Sequence, residues 1–229
     1  MNEFFSIGIF PIALTLVAFR VGQWCQKKWK LPVFNPTLIG MILVILFLLA
    51  TGMDTELYTA GASKLSWLMT PATICLAIPM YEQFQVLKKN LRAIVIGVAA
   101  GAASCLGILM AGGLLLHFDS AIIISLMPKS VTTAIGVPLS ELFGGMGAVT
   151  TAAIIVTGIV GNMMGVTFSK LFRVTDPVAQ GVAYGTSAHV IGTSKANELD
   201  PLTGAVSSLS LVVAGLLTAV LFPVLTSLL

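Results

Sequence analysis

Pro128-Lys129-Ser130-Val131-Thr132-Thr133 sets a cation and three hydroxyls beside a helix-breaking proline, inside an otherwise apolar stretch. A proline near the start of a half-helix leaves backbone N–H groups without intrahelical acceptors. Those groups, the positive end of the helix dipole and the hydroxyl donors together form an anion site. Lys129 adds the full charge that a carboxylate needs. In this reading Lys129, Ser130, Thr132 and Thr133 hold a small carboxylate. The competing reading has Lys129 snorkelling to an interface and the hydroxyls bonding back to their own helix. A lysine within a membrane costs roughly 2.5–3.5 kcal/mol on insertion scales, which weighs towards a role.

A second constellation is Gly185-Thr186-Ser187-Ala188-His189-Val190-Ile191-Gly192-Thr193-Ser194-Lys195, where two Gly-Thr-Ser triplets flank one histidine. Its glycines allow close backbone approach, and His189 is suited to bonding a substrate or carrying a coupling proton, because its charge switches near neutral pH. A satisfied structural histidine is the alternative. Gly192 and Thr193 join His189 as candidate substrate contacts, and Thr73 supplies the matching hydroxyl of an earlier segment. Asn162, in Gly158-Ile-Val-Gly161-Asn162-Met-Met-Gly165, reads as part of a small-residue packing face. There is no G-x-S-x-G, no phosphate-cradling loop and no metal-spaced His/Glu pair, so neither an enzyme nor a metal centre is expected. No cofactor is implied beyond a coupling proton or sodium ion. Three cysteines with no C-x-x-C spacing read as packing residues.

The elements that carry these residues are membrane helices. Only 9% of the 229 residues are charged, against roughly 25% in soluble chains, and the hydrophobic fraction is 57%. The mean hydropathy is +1.01. Lipid must therefore be the solvent for most of the chain. Twelve basic and nine acidic side chains give +3, with the basic ones clustered beside apolar runs. That pattern sets topology and argues against nucleic acid as a partner. Apolar runs over 4–26, 36–53, 65–81, 93–116, 121–142, 148–169, 178–197 and 203–229 predict an all-α polytopic membrane protein of about seven to eight hydrophobic segments. Lys27, Lys28 and Lys30 after the first run place that loop in the cytoplasm and the N-terminus outside. Runs 121–142 and 178–197, proline-broken or rich in Gly, Ser and Thr, are expected to be broken or re-entrant. The whole of 1–229 is then one integral membrane domain with approximate halves 1–116 and 117–229.

Those halves carry an internal repeat. Pro71-Ala-Thr73-Ile-Cys-Leu-Ala77-Ile78 aligns without gaps on Pro128-Lys-Ser130-Val-Thr-Thr-Ala134-Ile135, each followed by a proline (Pro79, Pro138) and an acid (Glu82, Glu141). Interrupted segments at corresponding positions of two halves, commonly inverted, point to a transporter site between discontinuous helices. Chance similarity of two apolar segments is the plain alternative. The Gly97-Val-Ala-Ala-Gly101 and Gly161-Asn-Met-Met-Gly165 faces permit close helix packing, within the chain or in a homo-oligomer.

Pro71-Ala-Thr-Ile-Cys-Leu-Ala-Ile-Pro-Met-Tyr81, Pro128-Lys-Ser-Val-Thr-Thr133 and Gly185-Thr-Ser-Ala-His189-Val-Ile-Gly-Thr193 resemble the signature segments of the LrgB/CidB family, in the same order and over nearly the whole chain. The family includes antiholin-like and holin-like regulators of murein hydrolase export and the C-terminal part of the plastidal glycolate/glycerate translocator. The resemblance implies a multi-pass protein of the bacterial inner membrane, a small LrgA/CidA-type membrane partner, and transport of small monocarboxylates such as pyruvate, lactate or glycolate. The chain departs from the family pattern at Ala134, where a proline is usual; Gly136-Val137-Pro138 follows instead. Two functions are thus expected to compete. One is a proton- or sodium-coupled secondary transporter, or a subunit of one. The other is a holin/antiholin-like regulator of membrane permeability, which would give unselective, non-saturable flux.

Overall fold

The computed structural model describes residues 9–29, 34–68, 71, 74, 75 and 77–229, and among them every regular element is a helix. The chain forms two compact units, Met1–Cys75 and Leu76–Leu229. In the first, α1 (Ile9–Trp29), α2 (Pro36–Thr51) and α3 (Thr55–Ala62) precede a 3₁₀ segment, Ser63–Leu68. Asn35 starts α2 by accepting from the N–H groups of Thr37 and Leu38 at 2.9 and 3.3 Å, with Pro36 in the first helical turn. Gly52 ends it in the left-handed conformation, φ 62 and ψ 21. Gly22 brings α1 against α2, since a side chain there would meet the Pro36 carbonyl at 2.6 Å.

The second unit contains α4 (Ala77–Glu82), α5 (Phe84–Leu115), α6 (Ser120–Leu126), α7 (Thr133–Leu142), α8 (Gly147–Leu171), α9 (Pro177–Leu199) and α10 (Pro201–Thr226). Aspartates cap three of these helices: Asp119 at Ala121 N, Asp176 at Ala179 N and Asp200 at Thr203 N. Pro177 and Pro201 follow two of the caps directly, so the Asp-Pro pairs of the sequence mark helix starts. The 32 residues of α5 rise about 48 Å at 1.5 Å each, well beyond a hydrocarbon core.

Among the described residues, α1, α5, α8 and α10 are long and apolar enough to cross a membrane, and α2 is apolar but shorter. The chain is thus an all-helical membrane protein. On α10 the burial pattern is the reverse of a soluble protein's. Leu216, Val220 and Val224 form an exposed apolar stripe on α10, whereas Ser207, Ser208, Ser210 and Thr218 of the same helix are buried. Polar side chains turn inward because lipid cannot hydrogen-bond them. Leu87, Ile94 and Val98 of α5 pack with Ala205, Val206 and Ala214 of α10 in one apolar cluster, while Leu106, Ile123, Ile124, Met127 and Phe222 make another.

Candidate functional site

Two interrupted elements of the second unit build the site. The first is α6–α7. Pro128 is buried just beyond the end of α6, and residues 127–132 form a tight connection in which Lys129 N donates to Leu126 O and Val131 N to Pro128 O. Thr132, extended at φ −69 and ψ 150, starts α7 without a side-chain cap. The second half therefore begins at Thr133, despite Ala134 and despite Pro138 lying inside α7. A proline six residues into a helix removes an N–H that still has a partner to lose, whereas the unmet donors lie in the first turn.

The second interrupted element is α9, broken at His189, whose backbone adopts φ 42 and ψ −138. This is a glycine-type conformation that costs a larger residue about 1–3 kcal/mol, so the surroundings must hold it. Thr193 Oγ1 donates to the His189 carbonyl at 2.9 Å, and Ser207 Oγ in turn lies 2.8 Å from Thr193 Oγ1. With Thr193's proton committed, Ser207 is the donor of that pair. His189 Nε2 lies 3.0 Å from the Ile154 carbonyl, and since a carbonyl only accepts, Nε2 carries the proton. Asn162 Nδ2 donates to the Ile191 carbonyl at 2.9 Å, just past the break.

The glycine face of α8 admits this irregular helix. Gly158 leaves room for the His189 ring, Gly161 for Ala188 and Gly165 for the Tyr184 ring. Positions i, i+3 and i+7 share one side of a helix, so these three glycines form a groove into which the break is pressed. Gly192 lies against Ala188 Cβ and the Tyr184 carbonyl, where the two halves of α9 fold past each other.

The first half of α9 separates two chambers. One, of about 560 Å³, lies against α8 and is lined by Val156, Thr157, Phe168 and Tyr184 among others. The other, of about 400 Å³, lies against α5 and is lined by Gly97, Gly101, Cys105, Ser130 and Thr186 among others. Lys129, Ala183 and Ser187 border both. Lys129 is half-buried, and its ammonium donates to Ser130 Oγ at 3.4 Å. Cys105 Sγ lies 3.2 Å from the same oxygen. Among the described residues the ion pair found is Lys195–Glu198, and no carboxylate pairs with Lys129.

The residues expected from sequence therefore fall into separate groups. Lys129 and Ser130 meet at the chambers. Thr132 and Thr133, half-buried at the start of α7, are absent from both linings. His189, Gly192 and Thr193 are buried in the break, and neither chamber includes them. Thr73 lies outside the described residues. Sequence reasoning overlooked Tyr184, Thr186, Ser187 and Cys105 as lining residues. The Gly-Thr-Ser triplet at 185–187 was visible, but which of its side chains faces a chamber depends on where α5 and α8 pack. No cluster of His, Cys, Asp or Glu suited to a metal ion occurs among the described residues.

No solved structure matches the chain. The model of the LrgB-like family matches residues 15–228, so the three motif segments and the interrupted helices that carry them lie within one continuous match, and the chain belongs to the LrgB-like family.

Proposed function

We propose that the protein is a secondary transporter, or the transporting subunit of one, for small monocarboxylates such as pyruvate, lactate or glycolate. The observation that carries this reading is Lys129, a half-buried ammonium beside two chambers in an apolar helical unit, with a serine hydroxyl but, among the described residues, no carboxylate for a partner. A cation left uncompensated at such a place is stabilised by an anionic ligand. Ser130 adds a hydroxyl to the same ligand. In this reading the proline-broken runs 65–81 and 121–142 correspond as an inverted repeat, the second of them forming α6–α7, and α9 is a further interrupted helix. The N-terminus lies outside the inner membrane, a small LrgA-type protein completes the assembly, and a proton or sodium ion drives uptake. Only binding and release are required, with no covalent step.

The test is uptake of radiolabelled pyruvate and glycolate into proteoliposomes holding the full chain, with and without the small partner, for wild type and Lys129→Ala. Saturable uptake that Lys129→Ala abolishes, with the variant still in the membrane, is the expected result. Equal leakage of unrelated solutes through both proteins would replace this reading with the holin-like one.

A further inference from the structure

Three buried side-chain oxygens find no hydrogen-bond partner among the described residues: Tyr184 OH, Thr186 Oγ1 and Ser210 Oγ. A buried hydroxyl without a partner is destabilising, and in a native protein it calls for a reason. Ser210 has a packing reason, since it sits where Gly185 presses α9 against α10, and it borders neither chamber. Tyr184 and Thr186 are different, because each residue borders one of the two chambers that share Lys129.

Thr186 is 8% exposed. Its methyl group faces Gly101, where a side chain on that glycine would come within 2.7 Å of it. It borders the chamber that also contains Ser130, so three residues with potential donors, Lys129, Ser130 and Thr186, belong to one lining. An adjoining void, also bordered by Ser130 and Thr186, measures about 10 Å³, the lower limit for one water molecule. A carboxylate has room only in the larger space. The chamber beside Tyr184 shares Lys129 but not Ser130, and Val156, Val160, Phe168 and Phe172 make much of its wall.

We infer that the chamber between α5 and α9 is the carboxylate station, and that Thr186 completes it by donating its otherwise unmet hydroxyl to the anion held by Lys129 and Ser130. This deepens, and rests on, the carboxylate-transport reading above. An unpartnered hydroxyl kept for a ligand has a recognisable signature: its removal harms binding while leaving the fold unharmed or firmer. A hydroxyl kept for packing or for an internal bond gives the reverse.

The experiment compares wild type, Thr186→Val, Thr186→Ser and Tyr184→Phe in the full chain, measuring pyruvate uptake kinetics in proteoliposomes with and without the small partner, and thermal unfolding in detergent. Thr186→Val keeps the side chain's shape and is expected to raise KM about ten-fold or more, the loss of one hydrogen bond to a charged group. Its unfolding temperature should be equal to or above that of wild type. Thr186→Ser should transport with near wild-type KM, and Tyr184→Phe should leave KM within about two-fold. An unchanged KM in Thr186→Val overturns the inference. So does a raised KM accompanied by a lowered unfolding temperature and shared by Thr186→Ser, which would mark a packing role. A raised KM in Tyr184→Phe alone would move the station to the other chamber and overturn it equally. Absence of saturable uptake by the wild type would instead overturn the transport reading beneath it, and is seen before any variant is compared.

Discussion

Replacing Gly158 by alanine tests whether the break in α9 depends on the glycine groove of α8. A Cβ at position 158 would stand 2.6 Å from Cε1 and 2.8 Å from Nε2 of His189, and 2.8 Å from Cδ1 of Ile191. The Ile191 methyl is the free end of a flexible side chain and can turn away. The imidazole cannot move without lengthening its 3.0 Å bond to the Ile154 carbonyl. Overpacking of this kind costs about 1–3 kcal/mol, and leaving the two buried partners unpaired costs about 1–3 kcal/mol more. The better helix propensity of alanine offsets about 1 kcal/mol of this. The net expectation is a loss of roughly 1–5 kcal/mol. Gly107→Ala is the matched control, since a Cβ there meets nothing within 4 Å in the middle of α5. It keeps the propensity gain and suffers no clash, so it should be neutral or stabilising. Thermal unfolding followed by circular dichroism in detergent, with pyruvate uptake measured in parallel, ranks the two. Gly158→Ala should unfold several degrees below Gly107→Ala and lose uptake. A Gly158→Ala protein that unfolds at or above its control and transports normally would refute the view that the His189 ring is locked against α8.

Thr193→Val removes the donor to the His189 carbonyl and the acceptor for Ser207 while keeping the side chain's volume. It should destabilise the unit by about 2 kcal/mol, and Ser207→Ala by about 1 kcal/mol. A double-mutant cycle should show coupling of at least about 0.5 kcal/mol, and strict additivity would break the proposed chain of bonds. Asp200→Ala deletes the cap that accepts from Thr203 N at 3.0 Å. The expected loss is about 0.5–2 kcal/mol in chemical or thermal unfolding, with KM for pyruvate unchanged because the cap borders neither chamber.

The groups at the break and at the chambers do different work. His189, Thr193, Ser207 and the Ile154 carbonyl bond one another and Asn162 bonds the Ile191 carbonyl, so their polarity is spent on holding an unfavourable backbone in place. Lys129 lacks a carboxylate partner and Thr186 lacks any partner among the described residues, so their polarity is open to a ligand. Mutations in the first group should act mainly on stability and those in the second mainly on transport.

Composition alone determined the solvent of this chain: with so few charges and so many apolar residues, only lipid could surround it, and since only helices or a closed barrel satisfy the backbone there, the long continuous apolar runs selected helices. Local chemistry also fixed several boundaries. Asn35-Pro36, Asp176-Pro177 and Asp200-Pro201 each begin a helix because the carboxyl or amide oxygen and the proline ring act within one turn. Pro128 likewise marked the interruption near Lys129. The break at His189 was less legible, since no proline stands there and its neighbours Ala188 and Val190 do not oppose a helix. It exists because Gly158, Gly161 and Gly165 of another helix give it room and Thr193, Ser207 and Ile154 give it bonds. The division of Gly185-Thr186-Ser187-Ala188-His189 into chamber wall and packed core was decided the same way. Hydroxyls one residue apart point about 100° apart around a helix, and only the packing of α5, α8 and α10 determines which direction meets open space, which meets lipid and which meets a partner.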